Sequence, residues 1–436
     1  MSGPLRIVAL YGTMALLILA VGYFQSWTVA LAILNLSLIS AVMALGVNIQ
    51  WGYAGLFNIG IMGFAALGGV ATVLVSMPPV EGALAAGGVN LGLAALAIVL
   101  TLAAALFVRE RAPAHLRVQA GLATILVGYF LMRMFLDPAS DAIEALNPSA
   151  AGYLGGLGLP VLFSWLVGGV FAAGAAYLVG KLTLGLKSDY LAIATIGISE
   201  IILAMLKNEN WLTRGVKNVT SIPRPVPNER DLQAAAWVID LADRFGTTAT
   251  TAAAVIVRLG YACLFLAVLA VVFWLSERAL KSPWGRMMRA IRDNRDAAEA
   301  MGKDVNRRHL QVFVLGSGVV GIAGAMLVTL DGQFTPAGYN PLRYTFLIWV
   351  MVIVGGSGNN WGAVLGGFLI WYVWIMAEPA GALLMSSLAQ GLPADSWFRA
   401  HLMQAAPHLR LFLMGLILLS VMRFAPRGLI PEARGR

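Results

Sequence analysis

Twelve apolar runs recur along this chain of 436 residues, and together they hold more hydrophobic surface than one soluble core could hide. They fall roughly at 7–24, 28–49, 61–77, 91–108, 118–136, 161–179, 190–206, 255–275, 310–330, 344–354, 361–377 and 409–424. Charged residues make up only 12% of the chain and the mean hydropathy is +0.80, about half the charge of an ordinary soluble domain. A soluble globular fold is excluded, and lipid is the solvent for most of the sequence. At about 1.5 Å per residue the 344–354 run is too short to cross a hydrocarbon core of roughly 30 Å unaided, so roughly ten to twelve full crossings are expected. The implied fold class is an all-α polytopic integral membrane protein with Gly-rich interruptions, a single transmembrane domain over 1–436. Arg6 precedes the first run, and Ala30-Leu31-Ala32 has the small-residue form of a cleavage site. That triplet sits inside the second run, so the N-terminus is expected to be retained. The single cysteine, Cys263, lies within an apolar run, which leaves no intrachain disulfide and no thiolate metal cluster.

The position of the charge sets an orientation. The net charge is +9; segment 276–309 holds nine Lys or Arg against five acids, and 423–436 holds four Arg against one Glu. Segment 137–160, by contrast, has three acids and no base. Basic loops face the cytoplasm, so 109–117, 181–187, 276–309 and both termini are expected there. On the outer side, 207–254 is the longest polar stretch. Pro223, Pro225 and Pro227 make it an extended linker, and Trp237, Leu241 and Phe245 at four-residue spacing predict an amphipathic surface helix over 230–245; the alternative is a solvated loop. The Gly- and Pro-rich 147–160 stretch needs no role beyond connection.

Signatures of catalysis are missing. Four scattered histidines make no His-Glu-x-x-His, and Gly355-Gly356-Ser357-Gly358 is followed by Asn359, which breaks Gly-x-Ser-x-Gly. Gly316, Gly318 and Gly321 spell a dinucleotide fingerprint inside an apolar run, where close helix packing explains them better. Gly180-Lys181 and Gly302-Lys303 lack the Ser or Thr of a phosphate loop. No cofactor or metal site is expected, and any power must come from a partner or an ion gradient.

Two features point to transport. In 284–301, Arg289 with Asp293, Arg292 with Asp296 and Arg295 with Glu299 stand at i to i+4, while Met287, Ile291, Ala298 and Met301 form an apolar stripe. This predicts one charged helix, suited to docking a soluble partner; a surface helix on lipid headgroups is the alternative. The second feature is a pair of Gly-rich stretches, 52–60 and 355–362, between apolar runs. Paired breaks mark the substrate route in many transporters, and each can also be a tight turn at the cytoplasmic face. Near the breaks stand isolated polar residues: Asn35, Asn48, Asn58 and Glu200. A carboxylate within a span costs about 2.5–3.5 kcal/mol, so Glu200 is expected to face the bundle interior or a cavity.

Five blocks then carry a resemblance. Gly52-Tyr53-Ala54-Gly55 with Asn58-Ile59-Gly60 comes first, then Ser188-Asp189-Tyr190-Leu191-Ala192-Ile193-Ala194-Thr195-Ile196-Gly197 followed by Glu200-Ile201. Ser282-Pro283-Trp284-Gly285-Arg286 with Arg289-Ala290-Ile291-Arg292 and Ala297-Ala298-Glu299-Ala300-Met301-Gly302 is the third. Gly355-Gly356-Ser357-Gly358 with Trp361-Gly362 is the fourth, and Phe424-Ala425-Pro426-Arg427-Gly428-Leu429 the fifth. In this order they resemble the LivM-type permease of branched-chain amino acid importers of the ATP-binding cassette class, the LivH/LivM family. The resemblance implies a bacterial inner-membrane subunit paired with a LivH-type permease. It also implies two cytoplasmic ATPases, which hold ATP and Mg, and a periplasmic substrate-binding protein. It implies that Arg286, Arg289, Arg292, Asp293, Asp296, Glu299 and Gly302 couple to the ATPase. Asn35, Asn48, Tyr53, Asn58, Glu200 and Ser357 are the residues expected along the translocation pathway. The 91–136 pair, the long 207–254 loop and Phe57-Asn58 depart from that pattern. Urea and short-chain amides are therefore alternative cargoes. An ion-driven secondary transporter using Glu200 is the competing class; a scaffold or intramembrane enzyme is a third.

Overall fold

Each of the twelve apolar runs forms a helix in the computed structural model, which describes residues 3–113, 115–146, 152–391, 393, 396–405 and 408–432. Residues 147–151 of the Gly- and Pro-rich connection, and Arg434 and Arg436 of the tail, lie outside the described residues. The chain opens with α1 (Gly3–Phe24), α2 (Trp27–Val47), α3 (Ile61–Ser76), α4 (Ala83–Arg111), α5 (Arg117–Leu146), α6 (Val161–Thr183) and α7 (Ser188–Asn208). Short helices follow: α8 (Asn210–Thr213), α9 (Glu229–Gln233) and α10 (Ala236–Arg244). Then come α11 (Ala249–Lys281), α12 (Pro283–Asp293), α13 (Arg295–Ala300) and α14 (Val305–Asp331). The chain ends with α15 (Leu347–Gly355), α16 (Asn360–Ala389), α17 (Trp397–Ala405) and α18 (Leu409–Phe424).

Among the described residues nine helices are long and apolar enough to span a membrane; α3 and α15 are shorter. The 16 residues of α3 reach only about 24 Å, so the adjoining non-helical backbone must lie within the protein rather than in lipid. Successive long helices alternate direction, which sorts the connections to two ends. The basic end gathers the 48–60 segment, α12, α13, the 355–360 turn and the tail through residue 432. The opposite end holds β1 (Val219–Thr220) and β2 (Gln333–Phe334), antiparallel with Val219 opposite Phe334.

At the centre α14 packs against α6, α3 and α2, and α2 in turn packs against α16 and α11. Small residues permit these approaches: a Cβ on Gly68 would stand 1.9 Å from the Gly321 carbonyl oxygen, and one on Gly324 would stand 2.0 Å from that of Ala65. The glycines of the apparent dinucleotide fingerprint are thus helix-packing residues. The α4–α5 hairpin packs mainly on itself and leaves its outer faces exposed, as a lipid-facing appendage does.

Two expectations about surface helices change. The outer helix breaks near Ala235 into α9 and α10. On α10 the buried residues are Val238 and Ala242, while Trp237 is 55% and Phe245 75% exposed. The apolar arc is real, but only its edge packs on α11, and the expected stripe faces outward. The predicted single helix over 284–301 is two, because Asn294 is extended (φ −154°) and its side chain accepts from the Ala297 amide to start α13. The break leaves Arg295 and Glu299 paired at 3.0 Å, and turns Arg292 to its neighbour Asp293 at 3.1 Å instead of Asp296. Met288 replaces Met301 in the buried stripe; Met301 is 79% exposed.

Candidate functional site at the interrupted spans

The 48–60 segment is irregular because its sequence cannot close an ordinary helix. A π-helical turn (Asn48–Gly52) widens the end of α2, and after Ala54 the chain runs without regular structure to Gly60. Gly55 has φ +69°, and a Cβ there would meet Arg292 Cγ at 3.2 Å. π-bulges recur at functional sites because they loosen the helical ladder locally. Several of the freed polar groups find partners on α7. Ile59 N donates to Thr195 Oγ1 at 3.1 Å, Gly63 N donates to Ser199 Oγ at 3.1 Å, and Ser199 Oγ donates to the Gly60 carbonyl. The irregular segment is thereby laced to α7.

A buried polar network lies beneath it. Asn48 Nδ2 donates to Asn360 Oδ1 at 3.0 Å, Gly358 N donates to Asn48 Oδ1 at 2.9 Å, and Tyr53 OH donates to Asn360 Oδ1 at 3.2 Å. Asn360 Nδ2 donates to Glu277 Oε1 at 3.0 Å. On the other side Asn58 Nδ2 donates to Gln50 Oε1 at 2.9 Å, and Gln50 Nε2 reaches the Phe313 carbonyl and Ser317 Oγ on α14. Sequence reasoning missed Gln50, Asn360 and Glu277; their signal is the same polar-in-apolar contrast that marked Asn48 and Asn58.

Arg292 ties the α12 helix to this network. Its Nη1 donates to the Gly52 carbonyl at the π-turn and lies 3.0 Å from Glu432 Oε2 of the tail. Desolvation pulls the Arg292 pKa down, but Glu432 and Asp293 outweigh it and the net shift is upward. The local fold explains how α12 holds this pose: Ser282 caps it with Pro283 at its first position, and Met288 and Ile291 are buried. The tail is fixed in turn. Leu429 N donates to the Val354 carbonyl at 2.9 Å and Ile430 N to that of Gly355 at 2.8 Å.

Of the expected coupling residues, Arg292 alone enters the network. Arg286 and Arg289 donate to the Lys281 and Leu280 carbonyls, Asp296 and Glu299 face outward, and Gly302 (φ +75°) ends α13. Of the pathway residues, Asn48, Tyr53 and Asn58 come together as bonded, buried groups. Asn35 is apart, toward the opposite end, donating to the Arg258 carbonyl at 3.0 Å. Ser357 is exposed in a tight turn; Gly356 (φ +124°) and Gly358 (φ +80°) make 355–360 a connection between α15 and α16, not a broken span. The second interruption is instead the π-turn Leu342–Phe346 that opens α15, which carries no glycine to announce it.

Glu200 requires a correction: it is exposed on α7, beside exposed Ile193, Ile201 and Met205, and does not face this chain's bundle. The helix buries Leu191, Thr195, Ser199 and Leu203, and the four-residue spacing from Ser199's face turns Glu200 away.

The two interruptions meet at a cavity of about 430 Å³ lined by Phe57, Ile59, Thr345, Phe346, Trp349 and Ile353, among others. Its wall is an aromatic cluster in which Phe57 and Trp349 lie 4.8 Å apart and Trp51 5.2 Å from Trp349. Thr345 Oγ1 donates to the Ile59 carbonyl and Trp349 Nε1 to that of Asn58, so the start of short helix α15 and the irregular segment are clasped together.

An all-helical, multi-pass membrane protein with interrupted spans meeting at a cavity belongs to the class of transport permeases. The family described as branched-chain amino acid transport system / permease component matches residues 85–422, and the chain belongs to that family. It is similar to the probable LivM permease of Methanocaldococcus jannaschii, 25% identical over 300 residues covering 68% of this chain and 74% of that one. The LivM permease of Escherichia coli is 27% identical over 208 residues, 47% of this chain and 48% of its own length. The LivH permease of Salmonella typhimurium is 26% identical over 221 residues, 51% and 62%. The matched segment thus spans about half the length of the Escherichia coli LivM protein. No solved structure matches the chain. The chain is a permease component of a transport system, not an enzyme.

Proposed function

We propose that this chain is the LivM-type subunit of an ATP-driven importer of the bacterial inner membrane. It passes a branched-chain amino acid inward by alternating access, with its basic end and both termini in the cytoplasm. A LivH-type permease completes the pathway, two ATPases carrying ATP and Mg dock at α12 and α13, and a periplasmic binding protein meets the opposite end. The names of its relatives support this cargo and a permease partner of the LivH type. The observation that carries the reading is the bond from Arg292 to the Gly52 carbonyl, because it gives a motion of α12 a direct path to the interrupted end of α2.

The apolar cavity supports the cargo class. A branched aliphatic side chain buries against Phe57, Ile59 and Trp349, at about 25 cal/mol per Å² removed from water, whereas urea gains nothing from such a wall. The lone Glu200 carboxylate supports a pathway between permease subunits, since facing lipid would cost it about 2.5–3.5 kcal/mol. The test is reconstitution with LivH-type and ATPase partners, varying ATP and the proton gradient independently. Leucine uptake that needs ATP and ignores the gradient is expected. Gradient-driven uptake by this chain alone replaces the reading with a secondary transporter, and uptake of urea but not leucine replaces the cargo.

A further inference from the structure

A cavity of about 870 Å³ opens on the side of the bundle at the basic end, between α6, α11, the start of α12 and the first turns of α14. It lies apart from the network around Arg292 and from the aromatic cavity. Its chemistry is graded along its length. Arg307, Arg308 and Trp284 line it nearest the starts of α14 and α12, and Tyr177, Leu310 and Leu315 supply apolar lining. Arg307 is the third residue of α14, and Leu315 lies eight residues on, about 12 Å deeper by helical rise. The groove therefore runs from headgroup level well into the acyl region of one leaflet, whose core is roughly 15 Å deep.

The charges near these helix starts are available. No carboxylate lines the cavity, and among the described residues neither arginine is in an ion pair. Arg308 donates only to the neutral Gln311 Oε1, at 3.1 Å. Asp304, the nearest acid in sequence, is committed to capping α14 at the Arg307 amide. Lys181 lies beside the groove, its Nζ 4.6 Å over the Tyr177 ring. Trp284 at the rim has the amphipathic ring that settles at the membrane interface.

We propose that this groove is a binding site for one anionic glycerophospholipid, its phosphate held by Arg307 and Arg308 and an acyl chain laid along Tyr177, Leu310 and Leu315. Basic pockets between spans on the cytoplasmic side hold anionic headgroups, each nearby Lys or Arg contributing about 1 kcal/mol at the surface. Arginine suits the phosphate because its fork donates two parallel bonds. The site touches α12 through Gln311, which also accepts from Trp284 Nε1 at 3.4 Å. A headgroup on Arg308 thus sits one residue from the capped start of that helix.

Native mass spectrometry of the full chain, delipidated and titrated with phosphatidylglycerol or phosphatidylcholine, tests the site. The chain should retain one phosphatidylglycerol with roughly thirtyfold preference, as two contributions of this size imply. Arg307→Gln with Arg308→Gln should abolish the preference, and Arg307→Lys with Arg308→Lys should keep most of it. Val314→Trp, which fills the groove and leaves both arginines, should also lose the retained lipid and guards against misfolding of the charge variant. Equal retention of the two lipids by the unaltered chain overturns the proposal, as does an unchanged preference in either the glutamine or the tryptophan variant. None of these readouts depends on cargo or on an ATPase, so the site stands or falls separately from the transport reading.

Discussion

At the scale of single residues, the basic end is organised by buried amides rather than by the charges that crowd the sequence there. Asn48 and Asn360 are fully buried and each satisfies partners on other elements. Asn48→Ala strands the Gly358 amide and part of the Asn360 side chain, at about 1–3 kcal/mol for each buried group left unpaired. The expected outcome is a drop in detergent melting temperature with membrane insertion intact; a variant melting like the parent removes the network from the account. Gly52→Ala acts by crowding, because its Cβ would lie 2.2 Å from Asn48 Oδ1 and 2.5 Å from Gly358 N. That substitution should cost about 1–3 kcal/mol and reduce transport more than it reduces insertion, read by comparing uptake with surface abundance. Asn48, Tyr53 and Asn58 were legible as polar residues in apolar surroundings. Their pairing with Asn360 and Glu277 was not, since no local pattern joins Asn48 to a residue 312 positions on or Asn360 to one 83 positions back, while Gln50, eight positions from Asn58, carried only the same polar-in-apolar contrast.

Among elements, α12 and α13 separate two roles that one helix was expected to combine. Arg292 points inward to Gly52 and Glu432, whereas Asp296 and Glu299 lie on the outward face of α13. Arg292→Ala should leave the partner ATPases bound and hydrolysing while transport falls by about tenfold. That is the scale expected when a charge-assisted bond near the lower end of 1.5–3 kcal/mol is lost. Glu299→Lys should instead weaken ATPase docking, measured by co-purification. Equal loss of docking in both variants would mean that α12 and α13 act as one surface. The helix-period pattern in 284–301 was readable, but the i to i+4 pairs concealed the break that Asn294, a residue type that favours helix starts over interiors, was there to mark. The 355–362 stretch misled for the opposite reason. Its glycines mark a tight turn held by the tail, while the irregular turn that matters, Leu342–Phe346, is built from ordinary helix formers.

On the scale of the whole molecule, the exposed face of α7 is the surface on which the proposed second permease would sit. Glu200 stands about 18 Å along a helix of roughly 31 Å, near mid-membrane, flanked by exposed Ile193 and Ile201. The apolar count that revealed the spans could not reveal which side of α7 is covered, because a lipid-facing and a subunit-facing surface have much the same composition. In the proposed pairing, a second permease and a water-filled route between the two would supply what a carboxylate at that depth needs. With Cys263 replaced by Ala, Glu200→Cys offers a single thiol to test it. In the assembled complex a water-soluble maleimide should label this thiol, at a rate that changes when ATP drives the ATPases. A neighbouring Ile193→Cys should cross-link to the second permease. A thiol at 200 that reacts only with lipid-soluble reagents, in every nucleotide state, would put α7 against the bilayer and leave the pathway to run through the chain's own bundle. That bundle holds its polar groups bonded to one another at the basic end, so an internal route would have to break the Asn48–Asn360 network on every cycle.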